Sequence, residues 1–201
     1  MKKVLLILLM AFPSTLLFAQ EGVKIGVGFG PAINFSRTET NDVLTAEDSG
    51  LGTRLSLTGR YGFSENYGLQ TGVALTTKAF GDKDSNVGKT KVTTVEIPFG
   101  LALRTNELNT DGLYVTGFIG PTIDLNVSSR LNINGQDANN AENVQAIGSS
   151  IRFGLGAEKE FDFGTVHLGV TYARGLSNIA KDQAGVVTKI HYLAFEGIFF
   201  F

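Results

Sequence analysis

The chain has 201 residues, with no cysteine, no tryptophan, 25 glycines and a formal net charge of -2. This length suits one sizeable domain. The lack of cysteine excludes disulfide scaffolds, thiolate metal sites and cysteine nucleophiles. The near-neutral charge argues against nucleic acid as a partner, because nucleic-acid binding needs a basic surface. Charged residues make up only 18% of the chain and hydrophobic residues 43%, which indicates a strand-and-turn protein that is unusually apolar outside its core.

Residues 1–20 predict a secretory signal peptide. Lys2 and Lys3 form a positive start, Val4–Met10 is an unbroken apolar run, and Ala19 offers the small residue that signal peptidase requires. The apolar run is shorter than the roughly 20 residues of a membrane-spanning helix. We expect cleavage just after Ala19 or Gln20, which leaves residues 21–201 as the mature domain.

From Gly22 onward the sequence alternates apolar residues with small or polar ones. Leu55 and Leu57 fall on one face of an extended segment, and Arg54 and Ser56 fall on the other. Successive side chains of a strand point to opposite faces of a sheet, so this period of two predicts strands. The pattern predicts eight of them, approximately Val23–Phe35, Leu51–Phe63, Tyr67–Phe80, Lys89–Arg104, Leu113–Ser128, Ile147–Glu160, Thr165–Ser177 and Thr188–Phe201.

The number and length of these strands favour a membrane barrel. Most are longer than the 5 or 6 residues that are usual in soluble proteins, and a tilted membrane-crossing strand needs about 9 to 11. The predicted connections alternate between a shorter set (Ser64–Asn66, Thr105–Gly112, Phe161–Gly164) and a set that is longer on average (Ser36–Gly50, Gly81–Gly88, Ser129–Ala146, Asn178–Val187). Short turns at one end and long loops at the other are typical of outer-membrane barrels. We therefore predict an all-β fold, an eight-stranded antiparallel up-and-down transmembrane β-barrel.

The face opposite the apolar residues carries charges of both signs. An eight-stranded barrel has an interior that side chains can fill, and buried charges there must be paired. We predict a lumen charge network made of Arg54, Arg60, Lys78, Glu96, Arg104, Asp124, Arg152, Glu158 and Glu196. The alternative, in which these charges form the solvated face of a soluble sheet, explains the alternation equally well, but it explains the strand lengths and the signal peptide less well.

The last predicted strand alternates up to a final phenylalanine. Leu193, Phe195, Gly197, Phe199 and Phe201 share one face. Outer-membrane barrels of Gram-negative bacteria typically end in such a strand, so we expect Phe199 and Phe201 to be the signal that the barrel-assembly machinery reads. Aromatic residues at the short-turn end predict a periplasmic girdle, formed by Tyr61, Phe63, Tyr67, Phe161, Phe163, Phe199 and Phe201.

Several stretches, in order, resemble the PorT-like family of small outer-membrane β-barrel proteins. They are Gly30–Ser36, Val95–Phe99, Gly117–Pro121, Gly154–Glu158 and Tyr172–Ile179. The resemblance covers nearly the whole mature chain and implies an eight-stranded barrel in the outer membrane. It implies little about activity, although the member that gives the family its name is associated with a protein-secretion system.

Pro98 predicts a local irregularity, because proline cannot donate to a strand ladder. We expect a bulge or a break in pairing at Glu96–Pro98. Glu96 beside it is interpreted as part of a lumen ion pair rather than as a gate or a binding carboxylate.

The sequence offers no catalytic constellation. His167 is predicted to fill the lumen and His191 to face outward near the loop end, and neither has a serine at a spacing that puts both on one face. The spacing of the loop acids matches no calcium-binding loop; they are Asp42, Glu47 and Asp48 in the first long loop and Asp82 and Asp84 in the second. We therefore expect no metal and no cofactor.

These observations predict a non-enzymatic outer-membrane barrel that is structural or binds partner proteins through its extracellular loops. Its expected partners are outer-membrane lipid, the assembly machinery and other envelope or secretion proteins, but not nucleic acid. The alternatives are a small transport pore, a lipid-modifying enzyme and a soluble secreted β-sandwich.

Overall fold

The structure, a computed structural model, describes residues 22–80, 89–108, 112–133, 136–139, 143–181 and 185–201. The predicted signal peptide and the predicted loop Gly81–Gly88 lie outside the described residues. Within the described residues, no helix is long and apolar enough to cross a membrane.

Eight long strands and one short strand make up the described fold. Their bounds are β1 Val23–Thr40, β2 Val43–Gly62, β3 Tyr67–Phe80, β4 Lys89–Arg104, β5 Leu113–Ile133, β6 Gln136–Asn139, β7 Ile147–Phe161, β8 Gly164–Gly175 and β9 Val186–Phe200. Each long strand pairs antiparallel with its neighbours in the order β4-β3-β2-β1-β9-β8-β7-β5, and β4 also pairs with β5. The sheet is therefore a closed eight-stranded barrel, as predicted, and β6 only extends one hairpin of it.

The barrel is apolar outside and polar inside. On β2 the Leu55 side chain is 54% exposed, whereas that of Arg54 beside it is 2% exposed. The same alternation runs along β3, where Val73 and Leu75 are exposed while Thr76 and Lys78 are buried. This arrangement reverses the usual distribution in soluble proteins, in which apolar side chains fill the interior and charged ones lie at the surface.

Pro98 interrupts the barrel on one side. The ladder between β3 and β4 lacks rungs at Ile97 and Pro98, and pairing resumes from Phe99 onward in an unchanged register. The predicted break is thus confirmed, because proline has no amide proton to donate. The register shift of β4 lies instead at Thr93/Thr94, against β5.

The first long loop is a hairpin. The prediction that Ser36–Gly50 is a loop is wrong for most of this segment, because β1 continues to Thr40 and β2 begins at Val43. Asn41 and Asp42 form the two-residue turn with φ values of 49° and 65°, and such positive values match the twist of paired strands. In the same way β5 continues past Ser128 to Ile133 and pairs with β6. Both hairpins stand at the end of the barrel opposite the short turns.

Candidate functional site

The centre of the lumen holds buried, paired charges. Arg54 forms an ion pair with Glu96, and its Nε donates to Oε1 of Glu196 at 2.7 Å. Its Nη1 also donates to Oγ1 of Thr76 at 3.1 Å, and the Tyr192 hydroxyl donates to Glu96 Oε2 at 2.7 Å. These residues come from β2, β3, β4 and β9, so one guanidinium connects side chains of four strands across the interior.

Three further charged residues surround Glu96. Lys78 Nζ lies 3.1 Å from Oε1 of Glu96 and 3.8 Å from Oδ2 of Asp124. Arg152 Nη2 lies 3.8 Å from Oε2 of Glu96 across the lumen, and the Ser150 hydroxyl donates to Asp124 at 3.3 Å. We call the six charged residues the central charge cluster: Arg54, Lys78, Glu96, Asp124, Arg152 and Glu196. Its three cations and three carboxylates balance, as burial of charges requires.

A second group lies nearer the short-turn end. Arg60 forms an ion pair with Glu158, and Nε and Nη2 of Arg60 donate to Oε1 of Gln70 at 3.2 and 3.1 Å. His167 Nδ1 lies 3.4 Å from Glu158 Oε1 and 3.2 Å from Thr116 Oγ1. Glu158 is buried, so its charge depends on these neighbours.

The third group lies at the short-turn mouth. Arg104 Nη2 and Lys24 Nζ lie 2.7 and 2.8 Å from the same Oε1 atom of Glu160. The guanidinium of Arg104 also stacks 3.4 Å from the ring centroid of Tyr114. The structure therefore separates Arg104 from the central charge cluster and places it in a partly exposed rim.

The nine predicted lumen residues thus fall into these three groups. Six of them form the central charge cluster, Arg60 and Glu158 form the second group, and Arg104 belongs to the rim. Three further members, Lys24, Tyr192 and Glu160, were not predicted from the sequence. Tyr192 and Lys24 could have been found by extending the alternation, because they lie in step with Glu196 and Gly26 on the inward faces of β9 and β1.

The cavities beside these charges are small. One of about 30 Å³ lies between the central charge cluster and the second group, beside Arg54, Arg60 and Arg152, and another of about 30 Å³ adjoins Lys78 and Asp124. Each has room for about one or two water molecules. A wider cavity of about 490 Å³ opens at the short-turn mouth and ends at Arg60.

Aromatic side chains ring the outer surface at the short-turn end. The rings of Phe161 and Phe163 stack with centroids 5.3 Å apart, and Phe163 and Phe199 stack at 6.1 Å. Phe201 follows at 6.4 Å from Phe199, and its amide donates to the Ile25 carbonyl at 2.9 Å. Such a band is typical of the water boundary of a membrane barrel.

No metal site is present among the described residues, since none of their histidine and acidic side chains gather in threes. The loop acids Glu47 and Asp48 lie on β2, where they face Arg37 and Ser36 of β1 in the ladder.

A closed sheet with an apolar exterior, an aromatic rim and an ionic interior defines an integral membrane β-barrel. The chain belongs to the outer membrane protein beta-barrel domain family, whose model matches residues 18–181. Its location is the outer membrane. The match is to this general domain, so the narrower resemblance to the PorT-like family stays a prediction.

Solved structures of three other proteins are similar to the chain. Neisserial surface protein A is 12% identical, with a TM-score of 0.51 over 90% of this chain and 100% of that chain. Ail, the attachment invasion locus protein of Yersinia pestis, is 17% identical, with a TM-score of 0.44 over 90% and 100%. The outer membrane protease OmpT from Escherichia coli is 7% identical, with a TM-score of 0.47 over 91% and 98%. The likeness to Neisserial surface protein A is one of fold alone. No curated protein matches the chain in sequence.

Proposed function

We propose that this protein is a closed, non-enzymatic scaffold of the outer membrane that presents extracellular hairpins to partner proteins. The observation that carries the proposal is the set of contacts made by Arg54, which bonds to Glu96 on β4 and to Glu196 on β9. In the barrel order these strands lie on opposite sides of β2. The contacts therefore cross the lumen rather than follow its wall.

The same contacts argue against the pore alternative. The central charge cluster draws residues from β2, β3, β4, β5, β7 and β9, and all six residues are buried. Water that enters the wider mouth meets Arg60 and then a cavity of about 30 Å³. A conducting state requires several buried ion pairs to separate, and breaking one such pair costs about 3–5 kcal/mol.

The geometry around His167 argues against the enzyme alternative. A catalytic histidine uses one ring nitrogen for the nucleophile and the other for the orienting acid. Here Thr116 and Glu158 both approach Nδ1 of His167. Thr116 is also buried, and the adjacent cavity of about 30 Å³ is too small for a lipid. His191 lies on a different strand, β9, and its neighbours in the ladder are Phe35 and Arg174.

The partner surfaces of the proposed scaffold are the hairpins at the long-loop end. β1 and β2 pair as far as Thr40 and Val43, and β5 pairs with β6 beyond Ser128. Function is commonly carried by segments of this kind on a rigid scaffold. The resemblance to PorT-like proteins suggests envelope or secretion proteins as partners. We also propose that the assembly machinery engages Phe199 and Phe201 during insertion.

Planar-bilayer recordings test the closed lumen. We expect the native protein to give no steady conductance. The matched variant is the double replacement Arg54→Ala with Glu96→Ala, which removes two large side chains while the remaining cluster stays neutral. This variant is expected to give steady channels, and its heat-modifiable migration shows that it has folded. Steady channels from the native protein would contradict the proposal.

A further inference from the structure

Four basic side chains lie together on the outer wall of the barrel. Arg37 on β1, Arg174 on β8, and Lys189 and His191 on β9 all alternate with buried residues, so they point away from the lumen. The ladder places His191 beside Arg174 and Lys189 beside Arg37. Since neighbouring strands are about 4.8 Å apart, these residues form one surface, which we call the basic patch.

Among the described residues, acidic neighbours lie at one corner of the basic patch. Nε of Arg37 lies 2.9 Å from Oε1 of Glu39, and Glu47 faces Arg37 in the ladder. Arg174 and Lys189 are both exposed, and in the described part of the chain neither forms an ion pair with a carboxylate. Counted over the described residues, the basic patch therefore holds two exposed positive charges that no carboxylate pairs.

The basic patch lies at the outer boundary of the apolar surface. His191 precedes Phe201, which belongs to the aromatic rim, by ten residues. At about 3.3 Å per residue and a tilt of about 40°, this separation is about 25 Å along the barrel axis. The apolar band of outer-membrane barrels is about 25 Å tall. The basic patch thus lies at the level of lipid headgroups, on the long-loop side.

Apolar side chains surround the same positions. Phe35 on β1 lies opposite His191 in the ladder, and Ile151 on β7 lies opposite Arg174. Tyr172 and Leu193 pair on the same face, two residues nearer the short-turn end. Cations directly above exposed apolar groups match a molecule that carries an anionic head on hydrocarbon chains. A soluble anion would contact the cations but not the apolar part of this surface.

We propose that the basic patch binds the phosphorylated headgroup of a lipid in the outer leaflet of the outer membrane. Arg174 offers a planar fork of donors that suits phosphate oxygens, and Lys189 adds a second charge on the neighbouring strand. The lipid chains then lie against Tyr172 and Leu193. This inference rests on the outer-membrane location and the outward direction of these side chains, and it does not depend on whether the lumen is closed.

Lipid binding by the detergent-solubilised full chain tests the proposal. The probes are bisphosphorylated lipid A, the same lipid A after enzymatic removal of its phosphates, and inorganic phosphate. The test variant carries Arg174→Gln with Lys189→Gln. The control variant carries Lys159→Gln, which removes one outward-facing cation at the opposite end of the barrel. Heat-modifiable migration checks that each protein has folded.

We expect the bisphosphorylated lipid to bind the native protein and the control equally. The test variant should bind it about 25-fold more weakly, about fivefold for each of the two cations lost. Removal of the lipid phosphates should weaken binding to the native protein to a similar degree. Equal binding by the test variant would overturn the proposal. So would equal binding of the lipid without phosphates, or displacement of the lipid by millimolar inorganic phosphate, because the basic patch would then recognise hydrocarbon alone or a free anion.

Discussion

Replacing Arg54 by methionine should destabilise the barrel strongly. Arg54 is 2% exposed and contacts two carboxylates, those of Glu96 and Glu196. Without it the central charge cluster holds two cations and three carboxylates in a site that is shielded from bulk water. Leaving such a charge uncompensated costs about 3–5 kcal/mol, so we expect the free energy of unfolding to fall by about that amount.

A double-mutant cycle separates this charge imbalance from the loss of packing. Glu96→Gln alone leaves three cations and two carboxylates, and it should also destabilise the barrel. The double variant Arg54→Met with Glu96→Gln restores neutrality, so its loss should be smaller than the sum of the two by about 2 kcal/mol. The exposed pair of Arg37 and Glu39 provides the control. Arg37→Met should cost no more than about 1 kcal/mol.

Guanidinium unfolding in lipid vesicles measures these differences. Because the chain contains no tryptophan, far-ultraviolet circular dichroism of the β-sheet is the better signal. A loss of stability from Arg54→Met as small as that from Arg37→Met would contradict this prediction. It would mean that water solvates the lumen charges and that the cluster does not close the barrel.

Two further substitutions test the outer wall and the strand packing by the same unfolding assay. The strand rise and tilt place Leu55 about 15 Å from the aromatic rim, near the middle of the membrane. Leu55→Arg should therefore lower the free energy of unfolding by about 2–4 kcal/mol, and Leu51→Arg, nearer the long loops on the same face, by about 1 kcal/mol or less. Equal losses from the two substitutions would contradict the assigned depth. A Cβ atom at Gly30 would clash with the backbone carbonyl of Phe195, whereas one at Gly59 would meet nothing within 4 Å. Gly30→Ala should therefore destabilise the barrel by about 1–3 kcal/mol, and Gly59→Ala should have almost no effect. An unchanged stability of Gly30→Ala would show that β1 and β9 lie farther apart.

Most of the fold could be predicted from the alternation of apolar and polar residues, for a physical reason. A side chain in a barrel strand faces either lipid or lumen, and Leu55 and Arg54 differ enough in polarity to mark the two sides. The strand core from Tyr67 to Phe80 was therefore predicted to the residue. The extension of β1 to Thr40 was missed because both faces of a hairpin beyond the membrane are polar, which removes the contrast that the prediction uses.

The pairing of the charges could not be predicted from one sequence. Alternation shows that Arg54 and Glu96 face inward, but the contact between them depends on strand order, on tilt and on the length of each side chain. The separation of Arg104 from the central charge cluster has the same origin. Its partner Glu160 was not included in the predicted lumen network. A charged residue at the end of a strand, just before a short turn, can face solvent as readily as the lumen.

Spin labelling measures directly whether the apolar face of the barrel points to lipid. The chain has no cysteine, so single cysteines at Leu55, Val73 and Ile123 can be labelled without a background in protein reconstituted in bilayers. The expected result is that nitroxides at these three positions collide readily with lipid-soluble oxygen and rarely with a water-soluble nickel complex. Frequent collisions with nickel, or shielding from both reagents as in a packed protein core, would contradict it.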